Sequence, residues 1–280
     1  MGIRAEGCIV CAVKRASVFL AAAALLLAAL QSSATALPAG DPHYPDLVTK
    51  APWGVRLVVT GKGTAVRRLF FANTIGNVGD GPLELRAENN ATTKTTDAIQ
   101  EIYTHLGAPS PKGTTAMTLV SSSLVGTFVF HPEHNHWHMA DFARYELRSI
   151  NANGSTGALV AATDKVSFCM IDTDVFDATL SHYRMGLNHA CGQNTRQGLK
   201  VGMGDTYSAF LPDQFINISA VADGTYRLLS VADPNATDRP GGLLIETSDS
   251  NNAASVDVVI TRGSVTIVPG SERTRIDAPP

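Results

Sequence analysis

The chain has 280 residues, with 22 Lys and Arg against 25 Asp and Glu, a formal net charge of −3 and 44% hydrophobic residues. It carries no extended Lys/Arg run, which argues against nucleic acid and anionic membrane surfaces as partners. The length suits one substantial β domain or two small ones.

The first 36 residues read as a secretory signal. Arg4, Lys14 and Arg15 form a positive start, Ser17 to Leu30 is apolar, and Ala34-Thr35-Ala36 is a small-x-small cleavage site. The expected mature start is Leu37, and the expected location is secreted. The apolar run is short for a stable membrane span, and no later segment qualifies; a retained N-terminal anchor is the alternative. Cys8 and Cys11 belong to the removed part, so their spacing is no redox or zinc motif. Cleavage takes basic residues from 22 to 19 and acidic from 25 to 24, moving the net charge from −3 to −5.

After the leader, short β-prone runs alternate with Gly, Asn, Asp and Pro. Val55–Val59 and Arg68–Asn73 read as strands. The turn-rich Gly76-Asn77-Val78-Gly79-Asp80-Gly81 leads to Pro82–Arg86, which is expected to pair back as a hairpin. Ala87 to Thr96 is polar and is expected to form a surface loop. Thr127–Phe130 is β-prone, as is the alternating Phe142–Leu147.

Between these two runs lies His134-Asn135-His136-Trp137-His138. Side chains on a strand alternate with a period of two, so an extended segment projects all three imidazoles from one face and turns Trp137 to the other. Converging imidazoles suit Cu, Zn, Ni or Fe and leave a position open for water or substrate. His131, three residues earlier, is expected to orient a ligand or a water.

Further strands are expected at Lys165–Ile171, Thr206–Leu211, Phe215–Ser219, Tyr226–Val231 and Ala254–Ile260. Asp174 to Gln197 has few β-branched residues and should wrap the site as long loop or short helices, with His182 and His189 expected on its surface and the substrate entrance as the alternative for either. Cys169 and Cys191 are the two cysteines left in the mature chain. In an exported protein they suggest one disulfide, which would stabilise by about 3 kcal/mol; two buried free thiols are the alternative. Asn90, Asn153, Asn217 and Asn235 each open an N-x-Ser/Thr sequon. The spacing of strands points to an all-β antiparallel β-sandwich with long site-forming loops over residues 37–268, followed by a flexible polar tail at 269–280.

Taken together, the motifs resemble the lysyl oxidase family. That family's copper segment reads H-x-x-H-x-H-x-H, then a Phe and a Tyr-acidic-Leu string. Here the matching residues are His131, His134, His136 and His138, then Phe142 and Tyr145-Glu146-Leu147. Its cofactor lysine lies in K-A-S-F-C-L-E-D-T, similar to Lys165–Thr173, and its cofactor tyrosine ends G-L-S-P-G-C-Y-D-T-Y, similar to Gly198–Tyr207. Asp223-Gly224-Thr225-Tyr226 and Asp249-Ser250-Asn251-Asn252 resemble the later P-G-N-Y and D-Y-T-N-N strings. The resemblance runs from about Leu69 to Ile260. Cys169 and Cys191 fall at family cysteine positions, whereas Glu133 and Met203 replace cysteines of the animal members.

The resemblance implies copper held by His134, His136 and His138, and a lysine tyrosylquinone built from Lys165 and Tyr207. It implies oxidation of a primary amine, such as a protein lysine, by O₂, with an aldehyde, ammonia and H₂O₂ as products. The family's animal members carry a His before the Tyr of the Tyr-acidic-Leu string, where this chain has Arg144. The expected catalytic base is therefore a carboxylate: Asp172, at the family's acidic position after the Cys, or Asp141 beside the histidines. Alternatives are a zinc site, a non-catalytic copper-binding β-sandwich, and a cupin-type Fe or Mn oxygenase, which needs an added carboxylate ligand.

Overall fold

A computed structural model describes residues 40–61, 65–91, 95–105, 117–163, 166–235 and 241–276. Gly40–Pro280 forms one compact unit. The expected leader at 1–36 lies outside the described residues. Among the described residues there are eighteen strands and no helix, hence none long and apolar enough to cross a membrane.

In chain order the first nine strands are β1 Pro42–His43, β2 Leu47–Thr49, β3 Trp53–Thr60, β4 Val66–Asn77, β5 Leu83–Asn90, β6 Thr95–His105, β7 Met117–His131, β8 His136–Ile150 and β9 Thr156–Ala162. The rest are β10 Val166–Phe168, β11 Asp174–Val175, β12 Arg196–Leu199, β13 Met203–Tyr207, β14 Phe215–Asn217, β15 Gly224–Ala232, β16 Ala253–Ile260, β17 Val265–Ile267 and β18 Arg273–Ile276.

All pairings are antiparallel, in two sheets that make the expected sandwich. The larger sheet runs β12-β5-β6-β7-β8-β15-β16-β17, with β9 and β10 also on β8. The smaller runs β11-β13-β4-β14, with β2 and β3 on the other side of β4. Period-two alternation decides which side chains face between the sheets. On β4, Leu69 and Phe71 are fully buried, while Arg68 and Phe70 face outward among Phe215 and Arg56. On β8, Tyr145 and Leu147 are fully buried. Phe71 meets Tyr145 edge-to-face across the sheets at 4.8 Å. Each such aromatic contributes about 1.5–3 kcal/mol through burial alone.

A polar network crosses the same core. The Thr49 and Ser230 hydroxyls each donate to Asn73 Oδ1 at 2.8 Å, and Asn73 Nδ2 donates to the Tyr145 hydroxyl at 3.3 Å. Such a network favours this pairing of the sheets, because a slipped register would strand further buried donors.

Four expectations about the backbone are corrected. Arg68–Asn73 and Pro82–Arg86 do not form a hairpin: β4 pairs with β2, β3, β13 and β14, and β5 pairs with β6 and β12. The glycines between them serve a crossing between sheets. The Gly81 N–H donates to the Tyr44 carbonyl at 2.9 Å, and a Cβ on Gly79 or Gly81 would run into the backbone of residues 43–46. The expected loop at 87–96 is largely strand: Glu88 pairs with Asp97 and Asn90 with Thr95. Its polarity reflects a solvent-facing strand end. The polar tail is ordered further than expected, since β18 pairs with β16. Arg273 reaches Asp257 at 3.3 Å, and the Ser271 hydroxyl accepts the Asp257 N–H at 3.0 Å, so polar contacts pin this end down. The fourth correction concerns His134.

Candidate active site

His134 is not on the strand. The β7–β8 hairpin closes through residues 132–135, with Asn135 at φ 57° and its N–H donating to the His131 carbonyl at 2.8 Å. Asn tolerates this left-handed backbone better than most residues. His136 and His138 do share one face of β8, as the period predicts. The turn folds His134 back over them. One ring nitrogen from each of the three lies within 4.8 Å of the others, and His134 Nδ1 is 3.3 Å from His138 Nε2. Nitrogens sharing one metal at about 2.0–2.1 Å lie about 3–3.4 Å apart, so the spacing suits an ion.

The protonation states also suit one. The His138 Nδ1–H faces the Ser167 carbonyl at 3.1 Å, which leaves Nε2 with its lone pair toward His134. Burial first, then the neighbouring imidazoles, push His138 down to about 3. Burial likewise lowers His134 and His136. Neutral imidazole is the form that binds metal. His134 Nε2 and His131 Nδ1 are buried with no hydrogen-bond partner. His131 stacks on His138 with centroids 4.7 Å apart, and its Nε2 lies 3.9 Å from Asp213. It therefore packs directly against the His138 ring. Trp137 turns to the opposite face, where it meets Phe130 at 6.0 Å and packs partly buried against the core.

Tyr207 ends β13, and its ring stacks on Phe168 at 3.8 Å. Its hydroxyl accepts the Cys169 N–H at 2.9 Å. Its ring centroid is 6.2 Å from that of His134 and 6.3 Å from that of His138. Burial, then Asp205, holds its proton on well above the usual tyrosine range. Lys165 lies outside the described residues. The strand that follows it, β10, pairs Val166 with Ala143 and Phe168 with Met139 of the histidine strand.

Cys169 and Cys191 form a disulfide across 22 residues. It ties the long 174–197 segment, almost all loop as expected, to the edge of the site. The Trp137 N–H donates to the Cys191 carbonyl at 2.9 Å, and Gln197 Nε2 donates to the Trp137 carbonyl at 2.7 Å. A cavity of about 310 Å³ opens beside the histidines. Its walls are Glu133, His134, His136, Ile171, Asp205, Thr206, Tyr207, Leu211, Pro212 and the disulfide. A second cavity of about 180 Å³, lined by His131, Val166, Ser167 and Phe168 among others, shares His134, Tyr207 and Pro212 with the first.

The carboxylates expected as the base are placed elsewhere. Asp172 accepts the Lys200 N–H at 2.9 Å and its Nζ at 2.7 Å, and it does not line the cavity. Asp141 is exposed at φ 58°. Arg144 pairs with Glu146 at 3.0 Å. His189 is buried against Glu84 at 3.2 Å and is no surface residue. The carboxyl that the sequence reading passed over is Asp205, 2% exposed, whose Oδ2 has no hydrogen-bond partner. Burial first, then Asp174, pushes it up to about 8, against the pull of a Thr173 hydrogen bond. A signal was available: Asp205 stands two residues before Tyr207, which puts both on one face of a strand.

The family model described as lysyl oxidase matches residues 113–269. Lysyl oxidase homolog 3B of Danio rerio is 36% identical over 110 residues, 39% of this chain and 12% of that protein. Protein-lysine 6-oxidase of Gallus gallus is 34% identical over 133 residues, 47% of this chain and 28% of that protein. Lysyl oxidase homolog 1 of Homo sapiens is 32% identical over 136 residues, 48% of this chain and 21% of that protein. The match thus spans well under two thirds of each relative's length.

Proposed function

The chain belongs to the lysyl oxidase family, and on that premise we propose that it is a secreted copper-dependent amine oxidase. Its reaction takes a primary amine, lysine side chains among them, with O₂ and water to an aldehyde, ammonia and H₂O₂. The observation that carries this reading is the convergence of His134, His136 and His138 within 4.8 Å beside a cavity that also exposes Tyr207.

Copper would be held by those three imidazoles, and imidazole nitrogen is a donor copper accepts readily. Copper and a lysine tyrosylquinone made from Lys165 and Tyr207 would supply the two-electron oxidation of the amine and pass the electrons to O₂. The protein's own groups do the rest. Phe168 and the Cys169 N–H fix the Tyr207 ring and hydroxyl. Ser167 fixes the His138 tautomer. Lys165 stands four residues before Cys169, whose N–H donates to the Tyr207 hydroxyl. Ile171, Leu211 and Pro212 give the cavity an apolar wall for an aliphatic stem.

The test is peroxide release from butylamine by copper-supplied protein, with and without a chelator. Chelator-sensitive peroxide stoichiometric with aldehyde supports the reading. A copper-filled protein that releases none is a copper-binding module.

A further inference from the structure

We propose that Asp205 is the carboxylate that receives the substrate's ammonium group in the cavity and takes a proton from it. The identity of the substrate rests on the amine-oxidase reading; the site rests on the cavity.

Asp205 and Tyr207 project from the same face of β13 into the space beside His134 and His136. Asp205 Oδ1 accepts the Thr173 hydroxyl at 3.2 Å, whereas the buried Oδ2 has no partner. A buried polar atom left unmet is destabilising, and a ligand N–H would complete it once the cavity wall gives way, because Oδ2 is closed to solvent in the unliganded protein. The groups facing Asp205 define that ligand's charge. Asp174 on β11 and Asp172 both raise its pKa. Lys200, the nearby cation, is committed to Asp172 at 2.7 Å. Tyr207 is a neutral phenol, His134 and His136 are neutral imidazoles, and Glu133 stands exposed at the rim. In the metal-free protein the surroundings thus hold surplus negative charge and no free cation among the described lining residues. Ile171, Leu211 and Pro212 suit an apolar stem. A primary ammonium on an aliphatic chain meets both demands.

The proton step balances. One N–H bond of the ammonium breaks and one O–H bond forms at Oδ2. No electrons are transferred, and the amine is left with a free lone pair. In water an alkylammonium holds its proton to about 10.4, above the value of about 8 for Asp205. Desolvation in the apolar cavity lowers the ammonium and closes the gap.

In the empty protein below pH 8 the carboxyl carries a proton, which must leave when an ammonium arrives. The test is calorimetric titration of metal-free, full-length protein with butylammonium from about pH 6.5 to 9, in two buffers of different ionisation heat. We expect proton release on binding, and affinity that weakens about tenfold per pH unit below pH 8. The Asp205→Asn variant should bind at least ~10-fold more weakly at high pH and lose the pH dependence, on the scale of one charge-assisted hydrogen bond. Binding by the wild type that is independent of pH and releases no proton overturns the proposal without recourse to any variant. So does a folded Asp205→Asn protein that binds or oxidises butylamine like the wild type. Should the wild type bind as expected and yet release no peroxide when copper-loaded, Asp205 stands and the oxidase reading falls.

Discussion

Replacing Asp205 by Asn should stabilise the empty protein, and the gain should grow with pH. The unfolded chain loses the Asp205 proton near 3.8, while the folded protein keeps it to about 8. Below about pH 4 both states are protonated and the residue is neutral to stability. From there to pH 8 the folded state binds the extra proton, so each pH unit removes about 1.4 kcal/mol of stability. Over the full interval this amounts to about 6 kcal/mol if the cavity stayed dry. Water entering the open cavity relaxes the carboxylate, so we expect ~3 kcal/mol, the scale of one uncompensated buried charge. Asn keeps an oxygen for the Thr173 hydroxyl and places an amide where Oδ2 has no partner. Urea unfolding of wild type and variant at about pH 5 and pH 9 reads the effect. Subtracting the two proteins cancels other buried acids such as Glu246, whose pKa is also raised by burial. A wild type that equals or exceeds the variant in stability at pH 9 would refute the reasoning, because Asp205 would then not be a destabilised buried carboxyl.

Three further outcomes are expected. His136→Ala should lower copper affinity by more than ~100-fold, since even outer partners of a metal ligand are worth about 10–100-fold; competitive chelator titration measures it. Cys191→Ser should lower stability by about 3 kcal/mol in a urea melt, and reductant should lower the wild type by the same amount. Phe71→Ala, which removes the ring against Tyr145, should lower stability by about 3–5 kcal/mol while leaving copper binding unchanged.

Periodicity made much of this molecule legible in its sequence. The alternation around Leu69 and Phe71 reports which side chains face the core, and that run and Phe142–Leu147 are both strands, although Phe142 and Glu146 are buried out of step with Tyr145 and Leu147. His136 and His138 were legible for the same reason. His134 was not, because one left-handed residue, Asn135, changes where the preceding ring points. Glycines misled in another way. Gly79 and Gly81 read as a hairpin turn, but their small size is used against the backbone of residues 43–46, a contact with no local signature. Polar composition misled at Glu88–Asn90 and Arg273–Ile276, since an edge strand facing water looks like a loop. Ionisation was the least legible property. Asp172 and Asp205 are equally plain in sequence; only packing shows one tied to Lys200 and the other buried with an unmet oxygen. Similarly, His189 in its loop gives no hint of burial against Glu84.

The central claim is that Lys165 and Tyr207 become one cofactor beside a three-histidine copper site. Peptide mass spectrometry on protein expressed with copper in air tests it most directly. The account predicts a cross-linked species joining the peptides that contain Lys165 and Tyr207, absent from His136→Ala protein and from protein produced without copper. Two separate, unmodified peptides from a protein with copper bound at its histidines would contradict it.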